Sequence, residues 1–349
     1  MKLALVTEIP APFRIPLWNA LADRVELRVL FLAERDPRRD YDLHRDEWRF
    51  DSRILPGRDL LAYHHWLVVN RGVRRELRDF RPDGLLVGGW NQPAFLQAAR
   101  SGQPYALWVE STARDQRRNG FDWLKRRLLS SAVGVLVPGT AAREYVLSLG
   151  VEADRIAVAP NAFDLAAFTK AVEQARRRHA PAVLTVARLS QEKDVATLLR
   201  AVEGLEAELI VVGDGPQEIS LREAAPANAR FAGRATRDEL PNWYANADVF
   251  ALASRSETWG MALSEAAAAG LPLVATEAVG AAWDLIEPGV NGYRVPVGDE
   301  GALREALAKA LADDAWRAEA SRRSRQLAEQ ATAERWAEAV DGFFERMVG

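Results

Sequence analysis

Short apolar runs alternate along nearly the whole chain with stretches in which apolar residues recur every three or four positions. Brief β-branched runs bounded by turn residues read as buried strands, and the longer recurrence reads as helix. In the first half the runs Lys2–Thr7, Val25–Leu32, Arg49–Leu55, Gly84–Val87, Tyr105–Val109, Val133–Val137 and Ile156–Ala159 predict strands. Helical patterns between them include Leu67–Phe80, Gln92–Ser101 and Ala141–Leu149. The stretch Pro160–Pro181 breaks the rhythm: it opens Pro-Asn-Ala-Phe-Asp, runs through the charged Glu173–His179 and closes on proline, so it reads as an interdomain connection. A second series of strands follows at Ala182–Ala187, Ala207–Val212, Arg230–Ala232, Val249–Leu252, Leu273–Ala275 and Gly292–Val295. Helices Val195–Val202, Arg237–Tyr244 and Met261–Ala269 separate them, and from Glu300 the chain reads as wholly helical, ending in Glu334–Met347.

Strand–helix alternation of this kind predicts parallel sheets covered by helices. With 349 residues and a soft prior of roughly 150 per domain, two α/β domains are expected, at 1–163 and 164–333. Open sheets of this class bind ligands at the carboxyl ends of their strands. A true site must therefore fall on strand-to-helix loops, in the cleft where the two domains face each other.

Composition narrows the chemistry. A share of 48% hydrophobic and 27% charged residues is that of an ordered globular protein. The formal charge of −3 gives no global attraction to nucleic acid, so anion binding must be local. The absence of cysteine excludes disulfides, thiol nucleophiles and thiolate metal sites. The four histidines, His44, His64, His65 and His179, form no zinc-ligand spacing, so no metal is expected. The amino-terminal apolar run stops at Glu8, short of the about 7–15 residues of a secretory segment, and reads as a first strand. No run reaches the ~18 apolar residues of a membrane span, and the expected location is the cytoplasm. Only five of the 46 basic residues are lysines, which draws notice to Lys193.

Three motifs carry chemistry. A strand runs directly into Gly213-Asp214-Gly215-Pro216, a turn that lets a ligand approach the backbone. An ordinary αβ turn would look the same. Glu218 stands where a dinucleotide fingerprint needs its third glycine, which disfavours a dehydrogenase. Next, Arg188 ends one strand and Lys193 precedes the following helix, so two cations on one loop can clamp a diphosphate and neutralise charge as it departs. A solvated surface pair is the blander alternative. The most informative motif is residues 254–272, Ser-Arg-Ser-Glu-Thr-Trp-Gly-Met-Ala-Leu-Ser-Glu-Ala-Ala-Ala-Ala-Gly-Leu-Pro. Here a loop with Glu257 leads into a helix near Gly260 or Met261 whose free amides suit a phosphate. Glu265 has only Met261, Ala262, Ala268 and Ala269 as helical neighbours, so a buried carboxylate there needs donors such as two ribose hydroxyls. The alternative is that it faces water.

Taken together, residues 182–300 resemble the nucleotide-binding domain of the retaining GT-B glycosyltransferases of family 4. The resemblance lies in the arginine and lysine after the first strand, the GDGP turn and Phe231-Ala232-Gly233. It extends through Trp243-Tyr244-Ala245-Asn246-Ala247-Asp248-Val249 to the two glutamates eight positions apart and Gly270-Leu271-Pro272. It implies a GT-B fold of two Rossmann-like, doubly wound domains. It further implies a nucleoside-diphosphate sugar donor, transfer with retention to a hydroxyl acceptor, and no divalent metal. By the same resemblance Arg188 and Lys193 bind diphosphate, Glu265 ribose and Glu257 the donor sugar, with Glu257 counted as catalytic. Backbone around Trp259, Gly260, Met261 and Ala262 would contact sugar or phosphate, and that near Gly233 and Arg234 the base. The terminal helix, 334–349, would cross back onto the first domain.

The first half matches less closely. The loop after its first strand is Ile9-Pro10-Ala11-Pro12-Phe13-Arg14 where many relatives have a glycine pair. Trp108-Val109-Glu110-Ser111 stands where many have a histidine, and Glu110 is the candidate for that catalytic place, the alternative being a helix cap. Arg14, Trp90 and Glu110 are the acceptor-side candidates, with plain packing the alternative for Trp90. The stretch Arg114–Arg127 sets Arg114, Arg117, Arg118, Lys125, Arg126 and Arg127 beside Phe121, Trp123, Leu124 and Leu128. It reads either as a contact for anionic lipid, which would suit a lipid-linked acceptor, or as a solvated helix face. Rival functions are a nucleotide-sugar epimerase of the same architecture, against which the sparse histidines speak, and a binding module without catalysis, against which the intact Arg188, Lys193, Glu257 and Glu265 speak.

Overall fold

The computed structural model describes residues 1–37, 43–62, 65–115, 122–175 and 181–348. Fifteen strands occur among them. In chain order they are β1 Lys2–Thr7, β2 Glu26–Phe31, β3 Asp51–Ile54, β4 Gly57–Ala62, β5 His65–Asn70, β6 Gly84–Val87, β7 Tyr105–Trp108, β8 Gly134–Val137, β9 Ile156–Val158, β10 Ala182–Val186, β11 Glu208–Val212, β12 Ala229–Gly233, β13 Val249–Leu252, β14 Leu273–Thr276 and β15 Gly292–Val295. Seven form one sheet in the order β3-β2-β1-β6-β7-β8-β9, and six form a second in the order β12-β11-β10-β13-β14-β15. All neighbours in both sheets run parallel. Each sheet is wound outward in both directions from its first strand, so the winding reverses between β1 and β6 and between β10 and β13. These two reversal points are where strand ends splay to leave a crevice.

Strands buried on both faces are apolar throughout, which is why β6, β8, β13 and β14 read as continuous apolar runs. The first domain differs from expectation at 57–80. There β4 and β5 form an antiparallel hairpin, Gly57 opposite Asn70, and the helix begins only at Val73. Trp66, Val68 and Asn70 are buried while Val69 is exposed, a two-residue period that apolar content alone does not separate from a helical one. Gly72, at φ +90, then turns the chain into the helix.

The segment 160–181 also holds more than a linker. Helix Leu165–Gln174 starts at Asp164, whose carboxylate caps the amide of Ala167 at 2.9 Å, and it packs against helices Leu240–Ala245 and Met261–Ala269 of the second domain. At the other end of the chain, helix Asp314–Ala328 packs on Met261–Ala269, whereas helix Ala333–Val348 packs on Ile15–Ala22 of the first domain. Trp336, Phe343 and Phe344 are fully buried there, with the Trp336 and Trp108 rings 5.2 Å apart. Burial of each such side chain contributes roughly 1.5–3 kcal/mol, so the terminal helix completes the first domain's core. The chain therefore passes between domains twice, and the passages lie side by side, with Phe163 and Thr332 in a parallel bridge.

Further contacts join the two domains. Asp284 accepts from the backbone amide of Thr140 at 3.1 Å and from its hydroxyl at 2.7 Å, satisfying the start of helix Thr140–Ser148 from the opposite domain. Burial raises the pKa of that carboxyl from its ordinary value, against the lowering effect of the Thr140 hydrogen bonds. Arg114 pairs with Glu277 at 3.0 Å, and Arg237 with Glu47 at 3.3 Å. No helix among the described residues is long and apolar enough to cross a membrane.

Candidate active site

A cleft of about 1020 Å³ opens between the domains at the carboxyl ends of both sheets. Its second-domain wall is built from three loops that hold one another. The loop after β10 is stapled to the turn after β11: the amide of Ala187 donates to Val212 O at 3.0 Å, Leu189 to Asp214 O at 2.7 Å and Gln217 to Leu189 O at 2.9 Å. Gly213 lies at φ +136, and a Cβ there would strike the carbonyl of Ala187. Only glycine allows this approach. The GDGP turn thus buttresses the loop that presents Arg188 to the cleft.

Lys193 closes a short turn, Gln191–Lys193, which is stapled in its turn to the loop after β13. The amide of Arg255 donates to Glu192 O at 2.8 Å, and its guanidinium pairs with Asp194 at 2.9 Å. This brings Lys193 Nζ into an ion pair with Glu257. Each side chain is 19% exposed, so the pair sits partly out of water with one side open to the cleft. The Glu257 backbone is itself fixed, its amide donating to Ala278 O at 3.2 Å and its carbonyl accepting from Gly280 at 3.0 Å.

Helix Met261–Ala269 begins at Gly260, whose φ of +102 suits glycine, with no side chain capping its start. First-turn amides have no acceptor within their own helix, and Gly260, Met261 and Ala262 line the cleft. Trp259 is buried, its indole donating to Ser264 Oγ at 3.0 Å. Glu265 lies one turn in. Its carboxylate accepts from the hydroxyl of Tyr244 at 2.6 Å, and the residue borders the cleft. Burial pushes its pKa up to about 7, against the opposing pull of the Tyr244 hydrogen bond. Asp214 and Arg234 stand exposed at the rim, and Gly213 and Gly215 line the floor.

On the first-domain wall, Glu110 is engaged at both oxygens: Oε2 pairs with Arg14 and Oε1 accepts from Asn161 Nδ2 at 2.7 Å. The Arg14 guanidinium also lies 4.6 Å over the Trp108 ring. Glu110 is thus not a helix cap: it braces Arg14 and Asn161 at the cleft edge, with 27% of its side chain still exposed. Asn161 is a cleft residue that reading the sequence missed, because 160–181 looked like connection only. The Pro-Asn step directly after a strand was the available signal. Tyr244 belongs to the Trp-Tyr motif, whose sequence gives no sign of this contact.

Of the candidate site residues named above, Trp90 is not among those that line the cleft. Its ring packs edge-on against Tyr145 at 6.4 Å, with Lys125 Nζ 5.6 Å from its centroid. Trp90→Ala is accordingly expected to lower stability by about 1–3 kcal/mol, from lost burial, and to leave nucleotide affinity unchanged. Thermal unfolding and calorimetric titration check the two halves of this. Several residues of the basic stretch have partners within the protein. Lys125 is buried beneath the Trp90 and Tyr145 rings, Arg126 donates to Leu149 O at 2.7 Å, and Arg114 is spent on Glu277. Trp123 is 64% exposed, whereas Arg117, Arg118 and Phe121 lie outside the described residues. Among the described residues no three His, Cys, Asp or Glu side chains lie together to hold a metal.

A second hollow, about 900 Å³, lies beside the chain passages at Phe163 and Thr332. Its charged groups include the pairs Arg49–Asp23 and Arg237–Glu47, which satisfy each other.

Comparison with known proteins agrees with this geometry. The family model for glycosyl transferases group 1 matches residues 180–313, and that for a glycosyl transferase 4-like domain matches residues 16–162. A GDP-mannose-dependent alpha-mannosyltransferase of Mycobacterium tuberculosis is 34% identical over 214 residues, 59% of this chain and 55% of that protein. A protein of the same description from Corynebacterium glutamicum is 37% identical over 129 residues, 37% of this chain and 31% of that one. This chain thus spans about half the first relative's length and a third of the second's. The structure of Anabaena HepE in complex with UDP superposes with a TM-score of 0.79 at 17% identity, over 99% of this chain and 100% of that one. At that identity the likeness is one of fold, and the fold is GT-B.

Proposed function

The chain belongs to the group 1 glycosyl transferases, and from that premise we propose that it moves a sugar from a nucleoside-diphosphate sugar to a hydroxyl acceptor, with retention at the anomeric carbon and without a metal. One observation carries this: Arg188, Lys193, Glu257, Glu265 and the open start of helix Met261–Ala269 all border a single cleft. In this arrangement the diphosphate lies between the two cations and the helix amides. These donors stabilise the charge that grows on it as the anomeric C–O bond breaks. Glu257 holds hydroxyls of the donor sugar and Glu265 those of the ribose. The acceptor hydroxyl attacks on the face the diphosphate leaves. Its proton passes to the departing phosphate oxygen, the base that the reaction itself creates.

In this scheme the protein supplies positioning and charge stabilisation rather than a covalent nucleophile. Glu110, held by Arg14 and Asn161, shapes the acceptor side. The mannosyltransferase relatives make GDP-mannose the first donor to try, and the exposed Trp123 would suit an acceptor carried on a lipid. Among the described residues no histidine lines the cleft, which speaks against an epimerase.

A thermal-shift panel of GDP, UDP, ADP and NAD tests the proposal. At 100 times its dissociation constant a cognate nucleoside diphosphate stabilises the fold by about 2.7 kcal/mol, so one of the first three is expected to raise the Tm by several degrees and NAD is not. A chain indifferent to all three diphosphates would not be a nucleotide-sugar enzyme.

A further inference from the structure

Glu265 could meet a ribose only if its carboxylate is held in one orientation, and the structure shows what holds it. Tyr244, on helix Leu240–Ala245, is wholly buried. Its hydroxyl reaches across to the neighbouring helix and lies 2.6 Å from Glu265 Oε2 and 3.3 Å from Ala262 O. A phenol has one proton to give, and the shorter distance, to the ionisable partner, assigns it to the glutamate. The ring cannot turn away. It is wedged between Phe168 of the connecting helix, 5.5 Å off and nearly perpendicular, and Phe250 of β13, at 5.8 Å. Phe168 is backed in turn by Phe163 at 5.4 Å. A rigid aromatic stack thus delivers one hydrogen bond to one carboxylate oxygen, while Glu265 borders the cleft.

We propose that Tyr244 is a positioning residue of the donor site: its hydroxyl binds Glu265 Oε2 and so turns Oε1 toward the vicinal hydroxyls of the bound ribose. The proposal rests on the donor reading given above and deepens it. Tyr244 touches no substrate and acts through Glu265 alone, which separates it from a residue that merely fills the core.

Calorimetric titration with GDP and UDP, each beside its 2′,3′-dideoxy form, tests this in the full-length protein. Tyr244→Phe keeps the ring and removes the donor. It is expected to weaken the binding nucleotide by about 5–10-fold and to leave the dideoxy form within about twofold of its wild-type affinity, because that form gives Glu265 nothing to hold. In a Glu265→Ala background the same change is expected to have no further effect. The pH below which affinity is lost is also expected to rise, by about half to one unit, since a hydrogen bond favouring the carboxylate is gone. If Tyr244→Phe fails to fold, Tyr244→Met, whose flexible side chain fills the space without a hydroxyl, is expected to give the same selective loss. Equal weakening of the ribose and dideoxy forms by Tyr244→Phe, or wild-type affinity in either variant, overturns the role of Tyr244 and leaves the donor site standing. If wild-type protein binds neither GDP nor UDP, the donor reading fails and this inference fails with it.

Discussion

Lys193→Ala is expected to lower kcat by roughly 10²–10³-fold, the loss that follows removal of one donor aimed at developing charge. The geometry pushes the value to the upper end. Lys193 does two things at once: it faces the cleft where a diphosphate would lie, and it neutralises Glu257. Without it, a partly buried carboxylate stands unpaired beside a leaving group that is itself gaining negative charge. Binding of a nucleoside diphosphate alone should weaken less, by about tenfold, because Arg188 and the helix amides remain. Steady-state turnover and calorimetric titration together read this split. Removing the stranded charge as well, in Lys193→Ala with Glu257→Gln, is expected to recover part of the loss. A kcat within a few-fold of wild type in Lys193→Ala would take that residue out of the diphosphate site.

Glu265→Gln is expected to move affinity and stability in opposite directions. A hydrogen bond to a charged group contributes about 1.5–3 kcal/mol, so loss of the carboxylate should weaken nucleoside diphosphate binding by about 10–100-fold. Stability should rise. Burial pushes the folded-state pKa of Glu265 up to about 7 from an ordinary 4.5. The folded chain therefore holds this proton more tightly than the unfolded one. Below about pH 4.5 both states are protonated and the group costs nothing. Between about pH 4.5 and 7 the unfolded chain ionises while the folded one still holds its proton, so stability falls across that range and levels off above it. The neutral amide escapes that cost. It is expected to be about 1–3 kcal/mol more stable than wild type at pH 8 and no more stable at pH 4. Denaturant melts at the two pH values measure this. A variant no more stable at pH 8 would show that Glu265 bears no burial cost.

The second domain was the more legible half because its informative residues are local. Arg188, Lys193, Glu257 and Glu265 stand on loops or helix turns directly after strands, and strand ends can be read from apolar runs. What the sequence hid were the pairings. Lys193 and Glu257 are 64 positions apart and meet because β10 and β13 are neighbours in the sheet. Tyr244 and Glu265 are 21 apart and meet because two helices pack side by side. Neither adjacency has a periodic signature. The hairpin β4–β5 was hidden for another reason, since a run of apolar residues fits either period until burial separates them. The packing of Trp90 was hidden as well, because an aromatic residue after two glycines on a strand-end loop carries no sign of its partners. Its partners Tyr145 and Lys125 come from helices far along the chain.

The double passage of the chain near Phe163 and Thr332 limits how the two halves can move. Two tethers lying together fix a line, much as paired hinges hang a door. Swinging about that line is cheap, whereas sliding or twisting one half over the other would stretch one tether against its neighbour. Any such swing must also break the hydrogen bonds between Asp284 and Thr140, which join the same two halves.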